Sequence, residues 1–390
     1  MKILTLDAIW EPRPGYSITA AEAKTRKAVN ASQVLKEPKL VIGESPIPRI
    51  AEDEVLIKVK ACGICGSDTH CYEKNDQGYM LYSGSVRPPV IIGHEFSGEV
   101  VEAGGKVIDL KIGDAVAPEG VLYCGLCTEC RTGHPNQCQR LEMIGFSAPG
   151  AFAEYVAVKE KYCWKLDVLR SLYPSDDNLY EVGALIEPIG CAYNGMFIAG
   201  GGFHPGAYVA VYGAGPIGLG AVLMARLAGA AKIFAFDLSE PRNRLALELG
   251  ADFAASPDDL KEKGTSPGEI VREMTGGHGA DMQIEAAGAA LETIPEIEKS
   301  FASNGKMIHL GRQETHAPME FNTIVSGANR VIGARGHAGY GIFPNVIRLI
   351  AAGRLPAHNV ITSRFPFDRV LDAFKQSTAR TDGKIMVRFP

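Results

Sequence analysis

The stretch Tyr208-Val209-Ala210-Val211-Tyr212-Gly213-Ala214-Gly215-Pro216-Ile217-Gly218 reads as a short apolar strand, a glycine turn and the first turn of a helix. Gly213, Gly215 and Gly218 permit the tight turn, and Pro216 and Ile217 open the helix, so backbone N–H groups and the positive helix end converge on one point. A dinucleotide pyrophosphate is the ligand that suits such a point. A second run, Lys232-Ile233-Phe234-Ala235-Phe236, ends at Asp237, nineteen residues past Gly218. A carboxylate there can accept both ribose hydroxyls and repel a 2′-phosphate, so NAD is the expected cofactor. Arg242 and Arg244 read as solvated cations on the following helix. Arg242 is carried as a candidate cofactor contact, because a cation turned inward there could meet a phosphate.

Outward from this turn, helical segments 216–229 and 240–249 alternate with the strands, the pattern of a doubly wound parallel sheet of the Rossmann type. Upstream the pattern differs. Residues 52–60, Glu-Asp-Glu-Val-Leu-Ile-Lys-Val-Lys, alternate, and glycine-punctuated apolar runs recur near 90–117 and 150–158, as in an antiparallel barrel. Phe343 to Ala352 reads as a helix, and Gly383-Lys384-Ile385-Met386-Val387 as a strand returning to the first half. Residues 11–38, with Lys24, Arg26 and Lys27, read as an insertion between the first strand and the barrel. The expected division is a catalytic domain of 1–188 completed by 336–390, and a dinucleotide domain of 189–335.

At 390 residues the chain is long enough for two cores, and 46% hydrophobic content describes a globular protein. The start, Met1-Lys2-Ile3-Leu4-Thr5-Leu6-Asp7, breaks its apolar run with a charge too early for a signal peptide, and no uncharged apolar stretch of membrane length follows. A cytoplasmic location without membrane partners is expected. A net charge of −5 argues against nucleic acid, since polyanion binders need a concentrated cationic surface. A small-molecule substrate is expected instead. Nine cysteines fit a reducing compartment that leaves thiols free as ligands, and Cys62, Cys71 and Cys163 read as buried thiols.

Four of the nine, Cys124, Cys127, Cys130 and Cys138, are spaced Cys-x2-Cys-x2-Cys-x7-Cys, the setting for one tetrahedral zinc. Four thiolates fill every coordination position, so this zinc is structural. A disulfide pair is the alternative. Upstream lies a mixed set: Cys65 in Cys62-Gly63-Ile64-Cys65-Gly66-Ser67-Asp68-Thr69-His70, and His94-Glu95. One thiolate, one imidazole and one carboxylate leave a position open for a substrate oxygen, as a catalytic zinc requires. Asp68 suits the role of accepting the other N–H of His94, which keeps the metal-facing nitrogen basic.

Gly93-His94-Glu95-x2-Gly98-x5-Gly104-x2-Val107 resembles the zinc signature of the medium-chain alcohol and polyol dehydrogenases. Cys65-x-Ser67, the cysteine quartet, Gly150-Ala151-Phe152-Ala153-Glu154-Tyr155, Glu187-Pro188 and the glycine turn follow in the family's order, so only 11–38 departs. The resemblance implies a GroES-like barrel joined to a Rossmann domain, two zinc ions per subunit, and a homodimer or homotetramer. It implies Cys65 and His94 as ligands of the catalytic zinc. It also brings in Glu187, which stands where alcohol dehydrogenases carry a third cysteine and is shared with the sorbitol and threonine dehydrogenase-like branch. Glu95 and Glu187 both remain candidates for the third position. Cys191, four residues on, reads as packing.

The implied chemistry is oxidation of a secondary hydroxyl to a ketone, with the zinc stabilising charge on oxygen while hydride leaves for NAD. Ser67 is placed to take the hydroxyl proton, and His70 matches the family position that completes the relay to solvent. A carboxylate in place of a thiolate makes the site harder, which favours a polyol or cyclitol over a simple alcohol. In the insertion, the Tyr79-Met80-Leu81-Tyr82 loop and residues 336–341, the chain is most similar to the scyllo-inosose 3-dehydrogenase branch. Phe146 and His337 are candidates to line the pocket. A butanediol, secondary-alcohol or L-threonine dehydrogenase is the alternative within the class, and a non-catalytic zinc- and nucleotide-binding redox sensor is the alternative outside it.

Overall fold

The computed structural model describes residues 1–312 and 316–390. Its C-terminal half is built on six parallel strands. Phe253–Ala255, Lys232–Phe236, Tyr208–Tyr212, Ala280–Glu285, Phe301–His309 and Arg330–Gly333 lie side by side in that order. Numbered along the chain this is the order 3-2-1-4-5-6, whose reversal falls between Tyr208–Tyr212 and Ala280–Glu285. Ligands of such sheets bind at that reversal, beyond the strands' carboxyl ends. Two central strands occupy the residues expected from their apolar runs, because a parallel strand covered on both faces has no polar alternation.

The other half is a seven-stranded sheet centred on Glu54–Ile64, which pairs with Glu95–Ala103 along one edge. Its other edge is shared: Tyr155–Lys159 pairs with residues 54–58, and Lys384–Arg388 with residues 61–64. The C-terminal strand thus returns to the first half, as the sequence implied. Register shifts at Leu56/Ile57 and Val59/Ala61 bend the central strand, in the manner of bulges that curve a sheet.

The residues 11–38 divide differently from the expectation. Lys2–Trp10 and Leu35–Glu44 form an antiparallel pair, so residues 35–38 are already strand, and only 11–34 form the excursion. That excursion carries Ala20–Thr25, a short helix capped by Thr19 and Glu22, and Arg26 stacks its guanidinium over Trp10 at 4.6 Å.

Between the two halves runs a helical stretch, Asp176–Ala184, Ile186–Tyr193 and the π-turn Asn194–Ala199. The junction expected at 188/189 falls within it. By length and composition it could cross a membrane, but 72% of its apolar window is buried within the chain. The fully buried Glu181 on this stretch receives Arg364 Nε at 2.9 Å, Arg388 Nε at 2.6 Å and His358 Nε2 at 3.1 Å. Burial opposes its charge, but His358, Arg388 and Arg364 outweigh it and pull its carboxyl down to about 2. This cluster fixes the returning strand against the helix, and with it the position of Lys384.

Candidate functional site

Two metal-ligand clusters stand where the sequence placed them. In the loop of Cys124, Cys127, Cys130 and Cys138, donor atoms lie within 4.8 Å of one another. Cys127 Sγ is 3.5 Å from Cys130 Sγ and 3.8 Å from Cys138 Sγ. A tetrahedron with Zn–S of about 2.3 Å has S···S near ~3.8 Å, whereas a disulfide needs ~2.05 Å. All nine cysteines are free, so the disulfide alternative does not hold here. Backbone N–H groups of Leu126 and Cys127 point at Cys124 Sγ at 3.3 Å, and pull its thiol down to about 6. A four-thiolate metal site calls for such support.

The second cluster joins Cys65, His94 and Glu95, again within 4.8 Å. Cys65 precedes the helix Gly66–Tyr72, and its N–H donates to Asp68 Oδ2 at 3.0 Å, a carboxylate suited to the helix N-terminus. His94 Nδ1 lies 3.4 Å from the buried Asp68 Oδ1, the pairing expected, although neither atom completes a hydrogen bond. Burial opposes charge on His94, yet Asp68 and Cys65 together pull its pKa well up. The ring of Phe146 packs on His94 at 4.8 Å and stacks on Tyr82 at 4.9 Å, so Phe146 walls the cluster as the sequence suggested.

Glu95 Oε1 is buried without a partner, while Oε2 is bonded by Lys384, whose Nζ also donates to Ile64 O at 3.0 Å. Lys384 is fully buried; burial opposes its charge, but Glu95, with Cys65 and Glu187 nearby, holds its pKa up. Gly63 makes the pair possible, since a Cβ there would stand 2.6 Å from Glu95 Oε2 and 3.1 Å from Lys384 Cδ. The sequence reading missed Lys384. The available signal was a lysine opening an apolar strand, and its partner lies 289 residues away.

Glu187 stands in a third cluster with Cys191 and His337, not with Cys65, His94 and Glu95. Cys191 is thus placed among candidate ligands rather than in plain packing. His337 Nδ1 is 2.7 Å from Glu187 Oε1. Burial opposes Glu187's charge, but His337 and His94 prevail and pull its carboxyl down to about 2.

The relay residues share the helix Gly66–Tyr72. Ser67 and His70 are both half-buried, with His70 Nδ1 3.4 Å from Glu73 Oε2 and 3.5 Å from Arg380 Nη2. Ser67 and His70 do not meet directly. Glu73 and Arg380, paired at 2.7 Å, are additions that sequence reading missed.

At the glycine turn, Gly213 has φ +92°, and a Cβ there would fall 2.6 Å from Ala287 N across the strand reversal. A Cβ on Gly218 would meet Gly213 O at 1.8 Å. A Cβ on Gly215 would meet Arg242 Nη1 at 3.8 Å and no other side chain or distant backbone among the described residues within 4 Å, so the backbone there is open to approach by a phosphate. Pro216 and Ile217 begin the helix Pro216–Leu227. Asp237 accepts Ala214 N–H and Ser239 N–H, both at 2.8 Å, so it is anchored at the turn. Arg242 corrects the expectation of a solvated cation: its side chain is 16% exposed, 3.7 Å from Asp237 Oδ2, with Nε donating to Asp382 O at 2.8 Å. Arg244 does remain exposed, paired with Glu240 at 2.9 Å. The segment Arg380–Lys384 therefore touches His70, Arg242 and Glu95 in turn, linking the helix Gly66–Tyr72, the neighbour of Asp237 and the Cys65/His94/Glu95 cluster.

Donor sets of this kind fit zinc, a borderline-soft ion of sulfur, nitrogen and oxygen ligands. The alcohol dehydrogenase GroES-like domain family matches residues 51–168, and the zinc-binding dehydrogenase family matches residues 216–352. The chain is 40% identical over 364 residues to the scyllo-inosose 3-dehydrogenase of Thermotoga maritima, covering 90% of this chain and 91% of that one. It is 34% identical over 349 residues to an L-threonine 3-dehydrogenase of Caldanaerobacter subterraneus, covering 89% and 94%. A solved Thermotoga maritima structure described as an alcohol dehydrogenase superposes with a TM-score of 0.93 at 36% identity, covering 99% of both chains. With a GroES-like domain, a Rossmann sheet, two zinc-type clusters and these relatives, the chain belongs to the zinc-dependent medium-chain dehydrogenases, oxidoreductases of CH–OH groups that use zinc and a nicotinamide dinucleotide.

Proposed function

We propose that the protein oxidises a secondary hydroxyl of a polyol or cyclitol to a ketone, with NAD as hydride acceptor. The observation that carries this reading is the Cys65/His94/Glu95 cluster, whose buried Glu95 Oε1 lacks any other partner among the described residues. We take these three as the protein ligands of the catalytic zinc and Glu187 as a charged neighbour outside them. Zinc bound there would act as a Lewis acid, withdrawing electron density from a substrate hydroxyl. The chain's own groups do the rest. Asp68 orients the His94 ring, Phe146 and Tyr82 close one wall, and the glycine turn from Gly213 to Gly218 holds the dinucleotide so that its ring reaches the cluster. Ser67 takes the hydroxyl proton and hands it on by way of the ribose of a bound dinucleotide, and the half-exposed His70, steadied by Glu73 and Arg380, passes it to solvent.

The substrate class rests on the harder Cys/His/Glu donor set and on the likeness to a scyllo-inosose 3-dehydrogenase. A panel of cyclitols, inososes, hexitols, short diols and L-threonine, followed at the nicotinamide absorbance band, tests it. Highest kcat/KM is expected on a cyclitol or inosose. Preference for threonine or butanediol moves the substrate class. No turnover on any of them, with one zinc per chain, favours the redox sensor.

NAD preference rests on Asp237, whose fixed carboxylate faces the ribose side of the turn. Replacing Asp237 with Ser should raise the NADP:NAD ratio of kcat/KM by roughly 10–100-fold, the worth of one charged hydrogen bond. Arg242 is then free of its acidic neighbour and meets the 2′-phosphate. An unchanged ratio would show that the ribose is read elsewhere.

We read residues 1–188 with 336–390 as the catalytic domain and 189–335 as the dinucleotide domain, in a cytoplasmic homodimer or homotetramer. Support for the assembly comes from the open edge strand Arg330–Gly333, with Val331 47% exposed beside Phe321 at 73% and Val325 at 78%. Among the described residues this edge is unpaired, and an edge flanked by apolar side chains is a surface for a second copy.

A further inference from the structure

Glu187, Cys191 and Asn194 stand about one turn apart on the helical stretch 186–199 and so share a face. That face meets the segment 335–340. Asn194 Nδ2 donates to Arg335 O at 3.1 Å and Gly336 O at 2.8 Å, and Asn136 of the cysteine loop donates to Arg335 O at 3.0 Å. His134, also of the cysteine loop, hydrogen-bonds the Tyr340 hydroxyl. Gly190 leaves the gap for His337, since a Cβ there would lie 3.3 Å from His337 Cβ.

His337 itself is 1% exposed, with its ring against Phe343 at 5.3 Å. Gly120 N–H donates to its Nε2 at 3.1 Å, so that nitrogen's lone pair is used and the ring proton stands on Nδ1. Nδ1 faces Glu187 Oε1 at 2.7 Å, with Cys191 Sγ 3.7 Å away. Both ring nitrogens are thus committed. Glu187 is drawn toward His337 and Cys191, while Glu95 keeps an unshared oxygen beside Cys65 and His94.

We propose that His337 is a positioning residue that restrains Glu187 outside the metal's inner ligand set and so leaves the third protein position to Glu95. The inference rests on reading Cys65, His94 and Glu95 as the ligands. Without the His337 N–H, Glu187 keeps only the long Cys191 Sγ contact at 3.9 Å among these partners, and its carboxylate competes for the cation. Segment 335–340 is clasped to the cysteine loop through His134 and Asn136, so the structural site steadies this restraint.

The test uses full-length protein with zinc in the four-cysteine site and cobalt in the other, whose d–d bands report coordination number and donor set. His337→Phe, which keeps a ring but removes both nitrogens, should change these bands and slow cobalt release to a chelator roughly tenfold. His337→Asn, whose amide can donate in place of Nδ1–H, should keep the wild-type bands. Adding Glu187→Gln to His337→Phe should restore bands and release rate. Unchanged bands in His337→Phe, or a change that Glu187→Gln does not reverse, overturns the proposal. Should His337→Phe not fold, Glu187→Gln alone decides: it should leave the bands in place, and their loss overturns the proposal. Glu95→Gln separates the underlying reading, because unchanged bands there would remove Glu95 from the ligand set whatever His337 does.

Discussion

Replacement of Cys65 by alanine should abolish turnover on every alcohol of the panel, while the four-cysteine site keeps its zinc and the dinucleotide still binds. Cys65 supplies the one thiolate of the mixed cluster, and its thiol is otherwise poorly placed to ionise: burial and Glu95 push its pKa up, against His94. Only a cation makes that thiolate worthwhile, and metal binding releases its proton. A bound metal can lower the pKa of water from about 15.7 to about 7, which at 1.36 kcal/mol per unit is on the order of 12 kcal/mol. Losing even half of that takes the rate below detection. Metal analysis should fall from two zinc per chain to one, and NAD titration by fluorescence should be unchanged. Retained turnover would remove Cys65 from the chemistry. The glycine turn lies on the other sheet, so the two losses are expected to be separable.

Lys384→Met should destabilise the fold by about 3–5 kcal/mol, the cost of leaving one member of a buried ion pair without its partner. Both side chains are effectively out of solvent, at 0% and 1% exposure, and Lys384 also serves Ile64 O. Adding Glu95→Gln removes the stranded charge and should recover most of the loss. Urea unfolding of wild type, single and double variants in the same metal state measures this. With zinc loaded at Cys65 and His94 the single variant should lose less, because a second cation then faces Glu95. Equal stability of Lys384→Met and wild type without metal would mean that Glu95 is protonated there and that the pair is not ionic.

The parts of this protein that were legible in its sequence are those whose signals are local. Tyr208–Tyr212 and Lys232–Phe236 are apolar runs closed by a glycine turn and an acid, and nothing distant alters that pattern. The cysteine quartet lies within fifteen residues, so spacing alone brings the thiols together. Cys65 and His94 needed the barrel to meet, and the family's signature stood in for that geometry. What was not legible is pairwise and distant. Lys384 meets Glu95, and His337 meets Glu187, at sequence separations far beyond any local pattern, and no spacing rule announces either. Arg242 read as surface because helix position alone does not reveal that Asp237 and Asp382 draw it inward. Lys36-Glu37-Pro38 fell inside the expected insertion 11–38, because a proline and two charges give no strand pattern. An edge strand tolerates them, and Glu37 takes φ +50° where the register slips.

The proposed chemistry requires a cation beside Cys65 and His94, and anomalous diffraction at the zinc edge from fully metallated crystals would locate it. Two peaks per chain are predicted: one inside the tetrad of Cys124, Cys127, Cys130 and Cys138, the other within bonding distance of Cys65 Sγ and His94, with Glu95 the nearest carboxylate. A map with the tetrad peak alone, and nothing beside Cys65 and His94, contradicts the account.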